Sequence, residues 1–311
     1  KWLRRAAEQE NCQAEALLGN NYYLGMGVEK NYEEAVKWFA KAIHQKEMID
    51  SSAIYYLGKC YLEGTGIETN INEGFKWISE AAYKGNVKAQ CELGHFYEKK
   101  VSEGEIEKKN KEEKKTWTNE KEELYKNAAM WYKKAAENGS DEGRELIGSC
   151  YVSGRGVEKN PEIGIRYIEQ AANNGTVRAQ NFMGKAYKNG LGVEKNVETS
   201  MQWYQKAAEN GDGEAHYIIA ESLYKVAVKG GGKKLAIAMG LGAIIPFSNA
   251  FTLPVALIFS KLSQDEKLKK FLEIDEGKLM YGHYKSAVDL GYTKAADRLQ
   301  KLNKLIGNKN N

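Results

Sequence analysis

The chain has 311 residues, 42% of them apolar and 28% charged, and its 46 basic and 42 acidic residues leave a net charge of +4. This balance gives no electrostatic reason for nucleic-acid binding, and no Lys and Arg cluster is interleaved with aromatic residues that could stack on bases. The cysteines are far apart and form no CxxC pair, so we expect reduced thiols and neither a disulfide ladder nor a zinc site. They are Cys12, Cys60, Cys91 and Cys150.

The first residues have the pattern of a helix that belongs to an incomplete unit. Residues 1–11 match the second helix of the hairpins that follow, and residues 12–50 form the first whole hairpin. Any signal peptide ahead of this unit would be missing from the sequence as given.

Two markers recur along the chain at a period of 36 residues, interrupted by insertions. A small residue stands inside each first helix, at Gly19, Gly58, Gly94, Gly148, Gly184 and Ala220. An aromatic residue stands in each second helix, at Trp2, Trp38, Trp77, Trp131, Tyr167, Trp203 and, by substitution, His283. Such repetition predicts a quasi-linear stack of helical hairpins in which the aromatic row fills the space between successive hairpins.

Glycines mark the ends of the helices in each unit. In the clearest unit, residues 177–212, Gly190 and Gly192 stand between the two amphipathic segments, and Gly211 follows the second segment. Because glycine adopts positive φ without steric strain, these positions predict a turn after each helix.

Two insertions fall at the turn between the helices of a hairpin. The third unit carries 18 extra residues within 101–127, rich in Lys and Glu, which predict lengthened helices or a solvated arm. The sixth unit carries 44 extra residues before His283. We therefore divide the chain into repeats at 1–229, an insert at 230–275, and a last helix with a polar C-terminal cap at 276–311.

The second insertion contains 26 consecutive uncharged residues, Leu235–Ser260. Pro246 and Pro254 favour a turn, and lysines flank both ends, so we expect an apolar helical hairpin whose ends lie on the same side of any membrane. Each arm also has the length of a buried helix, so docking to a membrane and burial against protein both remain open. The docking residues would be Leu235, Ile237, Met239, Ile244, Ile245, Phe247, Phe251, Leu253, Leu257, Ile258 and Phe259.

No sequence motif for catalysis is present. The chain has no HExxH, GxSxG or phosphate-loop pattern, and the paired turn glycines have neither the preceding strand nor the third glycine of a dinucleotide fingerprint. We expect no enzymatic activity, no catalytic residue, no bound metal and no cofactor.

The recurring LG, GxGV, WYxKAA and NGD elements resemble the Sel-1-like repeat family, which is related to tetratricopeptide repeats. The resemblance implies an all-α, right-handed α-solenoid of helical hairpins that acts as a non-catalytic adaptor, holding a protein partner on its first helices. By analogy with tetratricopeptide hairpins, the partner-binding residues would be Tyr23, Tyr55, Lys59, His95, Arg178, Asn181, Lys185, Lys188 and Tyr217. We expect a cytoplasmic location, with membrane association through the apolar segment. Export is also compatible with the sequence, because any signal peptide would precede the first residue given.

Two other functions are compatible with the resemblance. Some cysteine-rich members of the family bind or hydrolyse β-lactams, but this chain lacks their cysteine spacing. A protein that inserts into membranes through the apolar segment is the third alternative.

Overall fold

A computed structural model of the chain describes residues 1–44, 50–107, 111–229, 263–273 and 275–307. Every regular element within these ranges is helical: fifteen α-helices, one short 3-10 helix and no strand. The all-α prediction is therefore confirmed. The helices form two compact units, Lys1–Lys159 and Asn160–Asn311, which are described separately.

The first unit contains eight helices. They are α1 (Trp2–Glu8), α2 (Cys12–Leu24), α3 (Tyr32–His44), α4 (Ser51–Glu63), α5 (Ile71–Tyr83), α6 (Val87–Glu107), α7 (Lys111–Glu137) and α8 (Asp141–Ser153). Consecutive helices pack as the hairpins α2–α3, α4–α5 and α6–α7. Helices α6 and α7 have 21 and 27 residues, compared with 13 in α2 to α5, so the residues inserted within 101–127 lie largely in these two helices.

The second unit contains seven helices and the 3-10 turn. They are α9 (Pro161–Asn173), α10 (Val177–Asn189), α11 (Val197–Glu209), α12 (Gly213–Lys229), α13 (Gln264–Phe271), α14 (Asp275–Asp289), the 3-10 helix Thr293–Ala295, and α15 (Ala296–Gly307). Helices α10 and α11 form one hairpin, and α12 packs against α14 across the long insertion. The apolar segment 235–260 lies outside the described residues.

Local sequence fixes both ends of each turn. The first helices end at glycines that adopt positive φ, namely Gly25, Gly64, Gly154 and Gly190. The second helices begin after an asparagine whose side chain accepts a hydrogen bond from a backbone N–H in the first turn, namely Asn31, Asn70, Asn160 and Asn196. The glycine ends agree with the sequence pattern, and the asparagine caps are a second local signal that the pattern analysis did not use.

A glycine inside the first helix of a hairpin, replaced by Ala220 in the sixth, lets the second helix approach closely. A Cβ on Gly19 would lie 2.6 Å from the ring of Phe39, and a Cβ on Gly184 would lie 2.7 Å from the ring of Tyr204. Both rings are fully buried. The residue that fills the interior of the hairpin is therefore the one that follows the tryptophan position, a role that the sequence pattern did not assign.

The tryptophan row lies between successive hairpins, as predicted, except for Trp2, which is 78% exposed on α1. Trp38, which is 8% exposed, packs with Ala7 of α1 and Leu18 of α2. Trp131, which is 2% exposed, shares a cluster with Ala82 of the preceding hairpin. Each hairpin thus presents two neighbouring large side chains that serve different contacts.

A polar clamp joins successive hairpins beside these apolar contacts. The Gln180 side-chain amide donates to the carbonyl of Ala172, 3.1 Å away, and its oxygen accepts a 3.0 Å hydrogen bond from the Asn210 amide. Gln90 makes the same two bonds, to Ala82 and from Asn138, at 3.0 and 3.1 Å. Because these amides are buried or partly buried, satisfying them fixes the register of one hairpin on the next.

The sixth hairpin replaces this clamp by a histidine pair. His216 stands 36 residues after Gln180 and hydrogen-bonds the backbone of Ala208, which stands 36 residues after Ala172. Its Nδ1 lies 2.7 Å from Nδ1 of His283. His283 is 7% exposed, so the interpretation of this residue as a structural member of the aromatic row agrees with its position.

Candidate protein-binding surfaces

In the first unit, tyrosine rings connect the first helices of neighbouring hairpins. The ring of Tyr23 on α2 lies 4.6 Å from that of Tyr56 on α4 and 5.2 Å from that of Tyr32 on α3. Lys88 of α6 approaches the same group, since its Nζ lies 3.4 Å from the Tyr56 hydroxyl. We call Tyr23, Tyr32, Tyr56 and Lys88 the tyrosine surface.

Ion pairs continue this surface toward α6. Lys59 Nζ lies 2.7 Å from Glu63 on its own helix and 3.3 Å from Glu92 on α6. Burial lowers the pKa of Lys59, but the hydrogen bond to Glu63 and the charges of both carboxylates outweigh burial and raise the pKa above its ordinary value. Lys59 is therefore charged at neutral pH and is held by partners within the chain.

The predicted residues of the first unit have different degrees of exposure. Tyr23 and Lys59 are half-buried, and both lie near the carboxylate of Glu63. His95 is exposed, and its ring packs edge-on against that of Tyr132 at a centroid distance of 5.5 Å. Tyr55 differs from the prediction, since it is only 9% exposed and belongs to the apolar core around Ile78. Burial raises the pKa of Tyr55 to about 12, so its hydroxyl stays neutral.

In the second unit, two of the predicted residues meet at the junction between α10 and α12. Lys185 Nζ lies 2.8 Å from Glu214, and the Asn181 amide donates to Asp212 at 3.0 Å and to Glu214 at 3.1 Å. Burial raises the pKa of Glu214, but Lys185 and Asn181 outweigh burial and lower it below its ordinary value. A negatively charged Glu214 thus joins two predicted residues.

Exposure again separates the predicted positions. Arg178, Lys185 and Lys188 are exposed, while Asn181 is only 6% exposed and uses its amide within the chain. Tyr217 is half-buried and its ring lies 5.2 Å from that of Tyr292. Arg178, Lys185 and Lys188 therefore offer accessible charge, and Asn181 acts as an internal brace.

Sequence reasoning missed two residues that organise these surfaces. The ring of Tyr56 contacts those of Tyr23, Phe39 and Tyr55. The analogy with tetratricopeptide hairpins had selected only its neighbour Tyr55. Glu214 gathers Lys185 and Asn181 but lies at the start of a different helix. The two adjacent tyrosines at 55 and 56 were a sequence signal that could have identified Tyr56. The role of Glu214 depends on its contact with Lys185, 29 residues earlier in the chain, which no local pattern shows.

Disulfides, metal clusters and membrane-spanning helices can each be checked among the described residues. All four cysteines are buried thiols outside any disulfide, and burial raises the pKa of Cys60, Cys91 and Cys150 to about 11. Among the described residues, no three His, Cys, Asp or Glu side chains are placed to hold a metal ion. Within those ranges, no helix is both long and apolar enough to cross a membrane. The proposed docking segment 235–260 lies outside them.

Comparison with known proteins agrees with the repeat pattern. The Sel1 repeat matches residues 1–11, 12–46, 51–86, 123–140, 144–176 and 177–212. No curated protein matches the chain.

Solved structures share the fold. A Sel1 repeat protein from Oxalobacter formigenes is 30% identical with a TM-score of 0.54, over 81% of this chain and 88% of that one. The protective antigen c5321 of uropathogenic Escherichia coli is 24% identical with a TM-score of 0.59, over 96% of this chain. The match spans only 58% of the c5321 chain. The Sel1 pattern covers more than half of the sequence, and the chain belongs to the Sel1 repeat family, as an α-solenoid of helical hairpins.

Proposed function

We propose that this chain is a non-catalytic scaffold that binds a protein partner through the exposed faces of its first helices. Sel1 repeat proteins commonly act in protein–protein interaction. The observation that carries the proposal is the tyrosine surface of the first unit, where three half-buried rings and Lys88 come together from four helices.

Tyrosine suits such a surface for physical reasons. Its ring contributes a large apolar area with few rotatable bonds, and its hydroxyl remains able to hydrogen-bond a partner. Burial raises the pKa of Tyr23, with the Glu63 charge adding to the effect, so the hydroxyl remains a neutral donor. Rings already packed against one another lose little conformational entropy when a partner covers them.

The second unit supplies charge. Arg178, Lys185 and Lys188 project from α10, and the carboxylate of Glu214 positions Lys185. We propose that this face binds an acidic segment of a partner.

The apolar insert is proposed as a second docking element for a membrane or another protein. Its support comes from the sequence, in which 26 consecutive residues carry no charge. An exposed segment of this composition is unfavourable in water and favours association with an apolar surface.

The test begins with site-specific cross-linking. A photoreactive amino acid at position 88, on the tyrosine surface, should cross-link to a specific protein from the source cell, and the same group at position 37, on the second helix α3, should not. With that partner purified, Tyr23→Ala should weaken binding by about tenfold or more, a loss typical of a tyrosine at the centre of an interface.

The matched control is Tyr83→Ala, which removes the same atoms from a side chain that is 75% exposed on the second helix α5. Equal loss of affinity in both variants, with both still folded, would contradict binding through the first helices.

A further inference from the structure

Turns of this fold dock on the hairpin before them through a glycine. A Cβ on Gly66 would lie 2.7 Å from the backbone nitrogen of Glu33, at the start of α3. A Cβ on Gly156 would meet the backbone nitrogen of Lys126 at 2.7 Å, and one on Gly192 would meet the carbonyl carbon of Pro161 at 2.6 Å. Only glycine permits this approach, and in all three cases its φ is positive.

The receiving positions form a register with a vacancy at Ile71. Tyr32, Tyr125 and Pro161 receive a turn, and Ile71 belongs to the same row because it follows Tyr32 by 39 residues and precedes Tyr125 by 54. These steps equal the spacings of the tryptophan row. No turn glycine faces Ile71 among the described residues.

The lengthened helix α6 explains the vacancy. Ser102 stands eight residues after Gly94, at the place that Gly66, Gly156 and Gly192 hold in their own units. There α6 continues to Glu107 instead of turning back over α5. Ile71 is consequently 62% exposed.

The vacancy is a groove and not a flat patch. Leu62, Ile71, Phe75 and Phe96 line a cavity of about 260 Å³ between α4, α5 and α6, with Glu92, His95 and Lys99 also along its wall. The rings of Phe75 and Phe96 lie 4.1 Å apart. We call this cavity the Ile71 groove.

The occupied counterpart shows what such a groove holds. In the second unit, Gly192 lies against Pro161, and its Cβ position is 2.8 Å from Cγ1 of Ile165. Ile165 follows Pro161 by four residues, as Phe75 follows Ile71. The residue after the docked glycine is aliphatic and β-branched in each case, Ile67, Val157 or Val193.

We propose that the Ile71 groove binds a turn of a partner protein with the sequence Gly-x-Gly followed by Val or Ile. The glycine would approach the start of α5 as Gly192 approaches α9, and the turn would cover Ile71 and Phe75. The groove shares none of the residues Tyr23, Tyr32, Tyr56 and Lys88 that define the tyrosine surface, so each proposal can fail without the other.

A cyclic peptide with the sequence of residues 189–195, Asn-Gly-Leu-Gly-Val-Glu-Lys, is the probe, because ring closure preorganises the turn. The full chain is labelled at the isoleucine δ1 methyl groups and followed by NMR during titration to millimolar peptide. The Ile71 methyl signal should shift in a saturable way. Its assignment is obtained from Ile71→Val.

Two comparisons make the test decisive. The same peptide with Gly192→Ala should bind about tenfold more weakly or not at all, since the methyl group prevents backbone approach. The protein variant Ile71→Lys should lose binding by about tenfold or more, as expected when the contact of one isoleucine side chain is removed. Leu17→Lys, at a residue 51% exposed on α2, is the matched variant that should keep binding.

The proposal is overturned if the Ile71 methyl signal does not move at millimolar peptide. It is equally overturned if the alanine peptide binds as well as the glycine peptide, because the groove would then accept any small apolar molecule. Circular dichroism of Ile71→Lys checks that the variant folds, which the exposure of this side chain leads us to expect.

Discussion

Acidification should destabilise the second unit through its histidine pair. His216 and His283 approach through their Nδ1 atoms at 2.7 Å, an arrangement in which one ring donates a proton and the other accepts. Burial lowers the pKa of His283 from its ordinary value of 6.5 to about 4, and the nearby His216 adds to this effect. Burial also lowers the pKa of His216, against the opposing influence of the Ala208 backbone and Asp212.

The sign of the effect follows from the direction of these shifts. Below pH 6.5 the unfolded chain binds a proton at each histidine, while folded His283 resists protonation until about pH 4. The stability that neutral His283 contributes is therefore complete above pH 6.5 and is lost as the pH falls toward 4. The difference between the two pKa values of His283 corresponds to about 3 kcal/mol, most of it lost by about pH 4.5.

The assay compares urea unfolding, followed by circular dichroism, at neutral pH and at about pH 4.5. The control is the double variant His216→Gln and His283→Trp, which places at these positions the residues that hairpin five uses, Gln180 and Trp203. Carboxylates titrate in both proteins, so the difference between them isolates the histidines. Wild type should lose about 2–3 kcal/mol more than the control on acidification.

Two results would refute this reasoning. Equal acid sensitivity of wild type and the double variant would mean that the pair contributes nothing. A His283 ring that titrates near pH 6.5 by NMR in the folded protein would mean that it is not desolvated.

Three further predictions concern packing, charge and the insert. Trp203→Ala should lower the free energy of unfolding by about 3–5 kcal/mol, because Trp203 is only 7% exposed between hairpins; an unchanged urea midpoint would disprove the stacking register. Lys185→Glu with Lys188→Glu should weaken partner binding without unfolding, whereas Lys195→Glu in the turn should not; titration calorimetry distinguishes them. Replacing residues 235–260 by a Gly/Ser linker should leave the urea midpoint of the solenoid unchanged and abolish vesicle flotation or release a partner, since surface-loop length changes closure entropy slowly. A lower midpoint would place this segment in the core.

Most helix ends of the regular hairpins follow from local sequence signals. Gly190 ends one helix and Asn196 caps the next through interactions within a few residues, so their effects can be read without any tertiary contact. The period of 36 residues and the position of Trp203 likewise predicted a stack of hairpins. The analogy with tetratricopeptide hairpins selected Lys185 and Lys188 as partner-facing residues of the first helix, and both are exposed on α10.

Contacts between distant helices set which of these positions remain accessible to a partner. Asn181 was expected on the surface, but its amide is used by Asp212, 31 residues away, and no local pattern specifies that pairing. Tyr55 entered the core while its neighbour Tyr56 organised the tyrosine surface, because the stacking of α2 on α4 selects between adjacent side chains. Ile71 became exposed because α6 continues where other hairpins turn. Such outcomes depend on contacts between helices separated by tens of residues, so periodicity could locate the hairpins but not the partners that each side chain meets.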